Sequence, residues 1–127
     1  MVIGIGIDII EINRIKKNIE KHGDKFLSRV FTSNEIDYCL PKSNKYQHFA
    51  ARYAAKEAVY KALASGWQEG LSWQDVEISN EPNGMPVANV SGKLKKFFSD
   101  DKQLKISMSH SRNYVTCVAI IYKVKSE

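Results

Sequence analysis

The stretch Tyr46-Gln47-His48-Phe49-Ala50-Ala51-Arg52-Tyr53-Ala54-Ala55-Lys56-Glu57-Ala58-Val59-Tyr60-Lys61-Ala62-Leu63-Ala64-Ser65, closed by Gly66, decides how the chain is organised. Alanine loses no side-chain entropy in a helix, and a glycine follows the run, so the pattern predicts the longest helix of the chain. On a wheel of ~100° per residue, Tyr46, Phe49, Tyr53 and Tyr60 fall within ~60° and form an aromatic stripe. Glu57 and Lys61 lie ~40° apart, and Arg52 and Lys56 lie roughly 140° from them. A helix that is apolar on nearly every side is expected to be buried.

Before this helix, Val2 to Ile9 alternates as a strand does, with Ile3, Ile5, Ile7 and Ile9 on one face and Val2, Gly4, Gly6 and Asp8 on the other. Two glycines leave the second face bare, which suits close approach of another backbone or of a ligand to Asp8. Ile12, Ile15 and Ile19 recur at helical spacing until Gly23, a helix stop, and a short apolar segment spans Phe26 to Phe31. Thr32 with Glu35 has the form of a capping box, and Pro41 ends the short helix it opens. After the long helix, Val76 to Ser79 and Pro86 to Val90 flank a turn-rich segment and predict a hairpin. Leu94, Phe97 and Phe98 predict one more short helix. Leu104 to Ser109 and Tyr114 to Val124 predict an antiparallel pair joined across His110 to Asn113. The sum is α+β in a single domain, 1–127, because no linker or repeat divides it.

The chain has 127 residues, 43% of them apolar, and 19 Lys+Arg against 14 Asp+Glu give a net charge of +5. This composition excludes disorder and low-complexity architecture. The apolar stretch Tyr114 to Tyr122 is about half of the ~18 residues that a membrane span needs, and the start lacks the features of a signal peptide. A cytoplasmic location without membrane attachment is the expectation. Cys39 and Cys117 have no metal-binding spacing and read as reduced core residues. A modest positive field favours anionic partners without naming them.

Two acids stand out chemically. Asp8 ends a glycine-lined strand, and Glu57 sits one turn before Lys61. Two carboxylates with an ammonium nearby suit a hard cation and a phosphate, since Mg²⁺ takes one or two carboxylates, keeps several waters and binds phosphate oxygens. The same residues also fit simpler roles, an exposed i,i+4 ion pair for Glu57 and Lys61 and a helix N-cap for Asp8. Ser107 and Ser109 share a strand face with Lys105, opposite Leu104, Ile106 and Met108. Hydroxyls beside His110 at a strand end suit phosphate oxygens. Ser109 and His110 point to opposite faces and are poorly placed as a nucleophile and base pair.

Together, Gly4-Ile5-Gly6-Ile7-Asp8-Ile9, Glu11, Arg14-Ile15, Arg29-Val30-Phe31-Thr32 with Glu35, Ala51-Arg52-Tyr53-Ala54-Ala55-Lys56-Glu57-Ala58, Lys61-Ala62-Leu63, Gly84 with Pro86, and Ser107-Met108-Ser109-His110 resemble the signature of the holo-acyl-carrier-protein synthase type of 4′-phosphopantetheinyl transferase. The resemblance spans nearly the whole chain in order. Ala64-Ser65-Gly66 stands where that family usually carries Gly-Thr-Gly, and Ser65 keeps a hydroxyl.

The resemblance implies a small, antiparallel-rich sheet packed against a long central helix. It implies transfer of 4′-phosphopantetheine from coenzyme A to a serine of acyl carrier protein, with release of adenosine 3′,5′-bisphosphate, for fatty acid synthesis. It further implies a magnesium-dependent homotrimer with sites between subunits, Mn²⁺ being a substitute. Asp8 and Glu57 would hold the metal and, with Lys61, form the catalytic group. Glu57 or a metal-bound water would take the serine proton, and Lys61 would stabilise the leaving phosphate. Arg52, Lys61, Ser65, Gly66, Pro86, Ser109 and His110 would bind coenzyme A. Arg14, Lys17 and Arg29 would meet the acidic carrier protein.

Two rival readings are testable. One keeps the chemistry and moves the acceptor to the carrier domain of a polyketide or peptide synthase. The other is a small nucleic-acid-binding domain, with the aromatic residues of the long helix stacking on bases among Arg52, Lys56 and Lys61. Aromatic residues in a stripe at helical spacing are better read as part of a core.

Overall fold

The computed structural model describes residues 1–63, 72–99 and 101–124. Strand β1 (Val2–Glu11) runs directly into helix α1 (Ile12–His22), and α2 (Asp24–Val30), α3 (Ser33–Cys39) and the long α4 (Lys45–Leu63) follow. A 3₁₀ turn (Trp73–Asp75), strands β2 (Val76–Asn80) and β3 (Pro86–Val90), α5 (Gly92–Phe97), β4 (Lys102–His110) and β5 (Tyr114–Lys123) complete the order. The last strand is central: β5 pairs antiparallel with β1 on one side and β4 on the other. β2 and β3 form a separate antiparallel ribbon.

Register sorts the faces of the three-stranded sheet. Gly6, Ala119 and Ile106 lie abreast on one face, and Ile7, Val118 and Ser107 on the other. α4 packs on the first face, and the glycines allow it. A Cβ at Gly6 would overlap the Ala58 carbonyl oxygen and stand 2.6 Å from the Ala62 nitrogen. Backbone therefore meets backbone, the close approach that a bare strand face predicts. The isoleucines are left on the far side, and Ile5, Ile7 and Ile9 are 66%, 65% and 67% exposed.

Between α4 and its neighbours lies the core, in which Phe49, Ala54, Ala55, Ala58 and Val59 of α4 are buried with Ile15, Phe31 and Ile121. Each large apolar side chain so buried contributes on the order of 1.5–3 kcal/mol. Cys39 and Cys117 are free and buried. Burial pushes their thiols up to about 11 and about 12, so they act as apolar filler at neutral pH.

Several local expectations meet the structure directly. Gly23, at φ +52°, ends α1. The capping box forms, with the Thr32 hydroxyl oxygen accepting from the Glu35 amide and Glu35 Oε1 accepting from the Thr32 amide. The apolar run from Phe26 is a helical turn, α2, that turns Phe26, Leu27 and Val30 inward. β1 continues to Glu11, which takes the N-cap position of α1, so Asp8 is a mid-strand residue and not a cap. His110 pairs with Val115 and belongs to β4, which shortens the final connection to residues 111–113. The Gly66 stop lies outside the described residues. Among those, no helix is long and apolar enough to cross a membrane.

Candidate active site

Asp8 follows Gly6 on the inner face of β1, where α4 crosses the strand. The close crossing brings it to Lys61, whose Nζ lies 3.0 Å from Asp8 Oδ1 and 3.1 Å from the Ile7 carbonyl oxygen. The ion pair of Lys61 thus runs across to the strand. On the same side of α4, Glu57 is half-buried. Burial first, then repulsion by Asp8, hold its carboxyl above the usual range, while Lys61, a hydrogen bond from Tyr53 and Arg14 oppose the shift. Asp8 and Lys61 are thus in contact, and Glu57 and Arg14 are close enough for their charges to act on the same place.

The donor chemistry fits a hard divalent cation. Asp8 and Glu57 repel each other, a cost that a cation between them removes. Among the described residues no group of three or more His, Cys, Asp or Glu could close around a metal. Two carboxylates are what Mg²⁺ or Mn²⁺ uses alongside waters and phosphate oxygens, and too few for a closed structural zinc site.

Arg52 and its neighbours form a second cluster. A cavity of about 270 Å³ is lined by His48, Arg52, Asn80, Pro86, Ser109 and His110, among others. Arg52 is 2% exposed. Its Nη2 donates to Asn80 Oδ1 at 2.9 Å, and its guanidinium lies 4.3 Å from the centre of the Tyr38 ring. Its Nε has no hydrogen-bond partner. A buried guanidinium with a spare donor at a cavity has the chemistry to take an anion. Burial, then the charges of Arg52, Lys42 and His110, keep His48 below the usual imidazole pKa. Neither Asp8 nor Glu57 lines this cavity, so within one chain the two clusters are separate.

Lys56, next to Glu57, faces the opposite way. Its ammonium makes a 2.8 Å ion pair with Glu35 and donates to the carbonyls of Trp73 and Val76 at 3.0 and 2.6 Å. All three of its donors are used, and the rotation of α4 is fixed against β2. With Arg52 and Lys56 both buried, the basic face required by a nucleic-acid reading does not form.

Arg14 and Lys17 are exposed on α1 and Arg29 on α2, the Arg29 guanidinium 6.0 Å from the centre of the Phe26 ring. Ser65 and Gly66 lie outside the described residues. His48, Asn80 and the Glu35 partner of Lys56 were not foreshadowed as site residues. The available signals were the position of His48 one turn before Arg52 and the setting of Arg52 and Lys56 apart from Glu57 and Lys61 on the helix.

Residues 4–119 match the model of the 4′-phosphopantetheinyl transferase superfamily. The chain is 52% identical over 120 residues to a holo-[acyl-carrier-protein] synthase of Protochlamydia amoebophila, covering 94% of this chain and 98% of that one. Its fold superposes on the crystal structure of holo-[acyl-carrier-protein] synthase from Neisseria meningitidis with a TM-score of 0.87, at 28% identity and covering 97% of this chain and 100% of that one. The Bacillus anthracis enzyme, solved in complex with CoA (3′,5′-ADP), matches with a TM-score of 0.79 at 34% identity, covering 98% and 99%. Fold, sequence and site composition lead to one assignment: this chain belongs to the 4′-phosphopantetheinyl transferase superfamily.

Proposed function

We propose that the chain, acting as one domain over residues 1–127, transfers 4′-phosphopantetheine from coenzyme A to a serine of apo acyl carrier protein. Adenosine 3′,5′-bisphosphate leaves, and the holo carrier protein serves fatty acid synthesis in the cytoplasm. The supporting observation is the convergence of Asp8, Glu57 and Lys61 where α4 crosses β1, in a chain so similar to holo-[acyl-carrier-protein] synthases.

Asp8 and Glu57 are the residues that would hold Mg²⁺, or Mn²⁺ in its place. When bound, the ion neutralises charge on the pyrophosphate oxygens and orients them. In the reaction, the serine oxygen forms a bond to the phosphorus carrying the pantetheine arm, and the bond from that phosphorus to the bridging oxygen breaks. Glu57, its carboxyl raised by burial and by Asp8, is the acceptor this chain offers for the serine proton. Lys61 supplies positive charge to the departing phosphate. Arg52, Pro86, Ser109 and His110 bind the nucleotide end of coenzyme A in the cavity, and Ser65 and Gly66 belong to the same binding group. Arg14, Lys17 and Arg29 offer cations to the acidic carrier protein.

The active assembly is a homotrimer. Ile5, Ile7 and Ile9 with Val118 and Ile120 make an apolar sheet face that borders Ser109 and Thr116. Covering that face with a second copy brings the cavity of one subunit towards the carboxylates of the next, which completes the divided site. Incubation with coenzyme A, Mg²⁺ and apo carrier protein, read by intact mass, tests the function. Gain of one phosphopantetheine is expected, and an unchanged carrier mass excludes it. Gain only on a polyketide or peptide synthase carrier domain moves the activity to that acceptor class.

A further inference from the structure

Arg52 is held by neutral groups. Its Nη2 donates to the Asn80 carboxamide oxygen at 2.9 Å, and its guanidinium carbon lies 4.3 Å from the centre of the Tyr38 ring. Among the described residues it has no ion pair, although it is buried. Lys56, one turn further along α4, is the contrast, since Glu35 takes up its charge. A buried cation costs free energy unless something answers its charge, and an aromatic face does so without cancelling it. Tyr38 is flanked in turn: Lys42 Nζ lies 4.6 Å from its ring centre, and His48 packs edge-on at 5.6 Å and 80°. Tyr38 is 36% exposed and does not line the cavity, whereas Arg52 and His48, which meet its ring, do. Core burial therefore does not account for an aromatic residue at this place.

We propose that Tyr38 is a positioning residue for coenzyme A: with Asn80 it holds the Arg52 guanidinium at the cavity wall through contacts that leave its positive charge for a phosphate of the nucleotide. The inference rests on the nucleotide-binding role given above to the cavity. Without the ring the guanidinium reorients, and part of the binding energy goes to bringing it back. A carboxylate partner would hold a guanidinium as firmly but compete with the phosphate for it.

Calorimetric titration of adenosine 3′,5′-bisphosphate into the protein tests it, with wild type, Tyr38→Phe, Tyr38→Leu and Tyr38→Gln. Tyr38→Leu is expected to weaken binding about 3- to 20-fold, the range that loss of one desolvated cation–π contact gives. Tyr38→Gln, a second ring-free variant suited to an exposed helix position, should match it. Tyr38→Phe keeps the ring and should bind as wild type does. The KM for coenzyme A should rise by the same factor in the two ring-free variants while kcat stays in place, the mark of lost uniform binding. Wild-type affinity in Tyr38→Leu and Tyr38→Gln overturns the proposal, whatever their melting temperatures, as does an equal loss in Tyr38→Phe, which assigns the effect to the hydroxyl. Absence of bisphosphate binding by wild type overturns the nucleotide role of the cavity itself, and the positioning role with it.

Discussion

The Lys56 ammonium lies 2.8 Å from Glu35 Oε1, and neither side chain has any exposure to solvent. Glu35 Oε2 also accepts from the Ile78 amide at 2.8 Å, so the pair ties α3, α4 and β2 together. Buried charges are tolerated when their hydrogen bonds are complete, and removing one partner leaves the other uncompensated. Lys56→Met or Glu35→Gln should therefore cost about 3–5 kcal/mol, read from urea unfolding midpoints. Replacing both by apolar residues should not restore wild-type stability, because the Ile78 amide and the Trp73 and Val76 carbonyls lose partners. A single variant of wild-type stability would show that the pair does not hold the fold.

Gly6 makes the crossing of β1 and α4 possible. Gly6→Ala should destabilise by about 1–3 kcal/mol and lower transfer further than the unfolded fraction explains, because Asp8 moves away from Lys61 and Glu57. Denaturation curves set beside turnover numbers check this. An alanine variant unchanged in both would mean that the strand and helix have room to spare.

Much of this was legible in the chain, for physical reasons that differ between elements. The strand alternation of Val2 to Ile9, the capping box at Thr32 and the stop at Gly23 are local effects, and local sequence carries them. The bare Gly4-Gly6 face announced a close backbone approach, though not that α4 was the partner. Lys56 was opaque because its partner lies twenty-one residues away in sequence, and an ion pair at that separation leaves no period. Division of the site into two clusters followed from the helical wheel, which set Arg52 apart from Glu57. The helical state of α2 (Asp24–Val30) was not legible, since seven residues hold too few turns for a period to show.

Ile7 is 65% exposed in the single chain, so Ile7→Glu should leave the secondary structure and the monomer intact. In the proposed trimer it places a carboxylate within an apolar contact. Light scattering should change from trimer to monomer, and transfer should fall at least tenfold as the clusters of neighbouring subunits part. A trimeric, active Ile7→Glu protein would argue against this face as the contact.

The cavity should respond to pH through His48. Its folded pKa lies below the ordinary 6.5 because burial and then Arg52, Lys42 and His110 disfavour the imidazolium. Between the lowered value and 6.5 the unfolded chain binds more protons than the folded one, so this contribution to stability is present above 6.5 and is lost as pH falls through the folded pKa. His48→Gln should flatten the acid limb of the stability profile. A phosphate monoester in the cavity favours the charged imidazole, so adenosine 3′,5′-bisphosphate should raise the His48 pKa in an NMR titration. An unmoved resonance would place the nucleotide elsewhere.

Transfer measured by carrier-protein mass as a function of Mg²⁺ concentration, in wild type, Asp8→Ala and Glu57→Ala, bears most directly on the convergence of two acids on one ion. Both variants should remain folded by circular dichroism and lose transfer by more than the about 10–100-fold that an outer partner of a metal site costs. Transfer retained in both, with an unchanged Mg²⁺ dependence, would contradict the account.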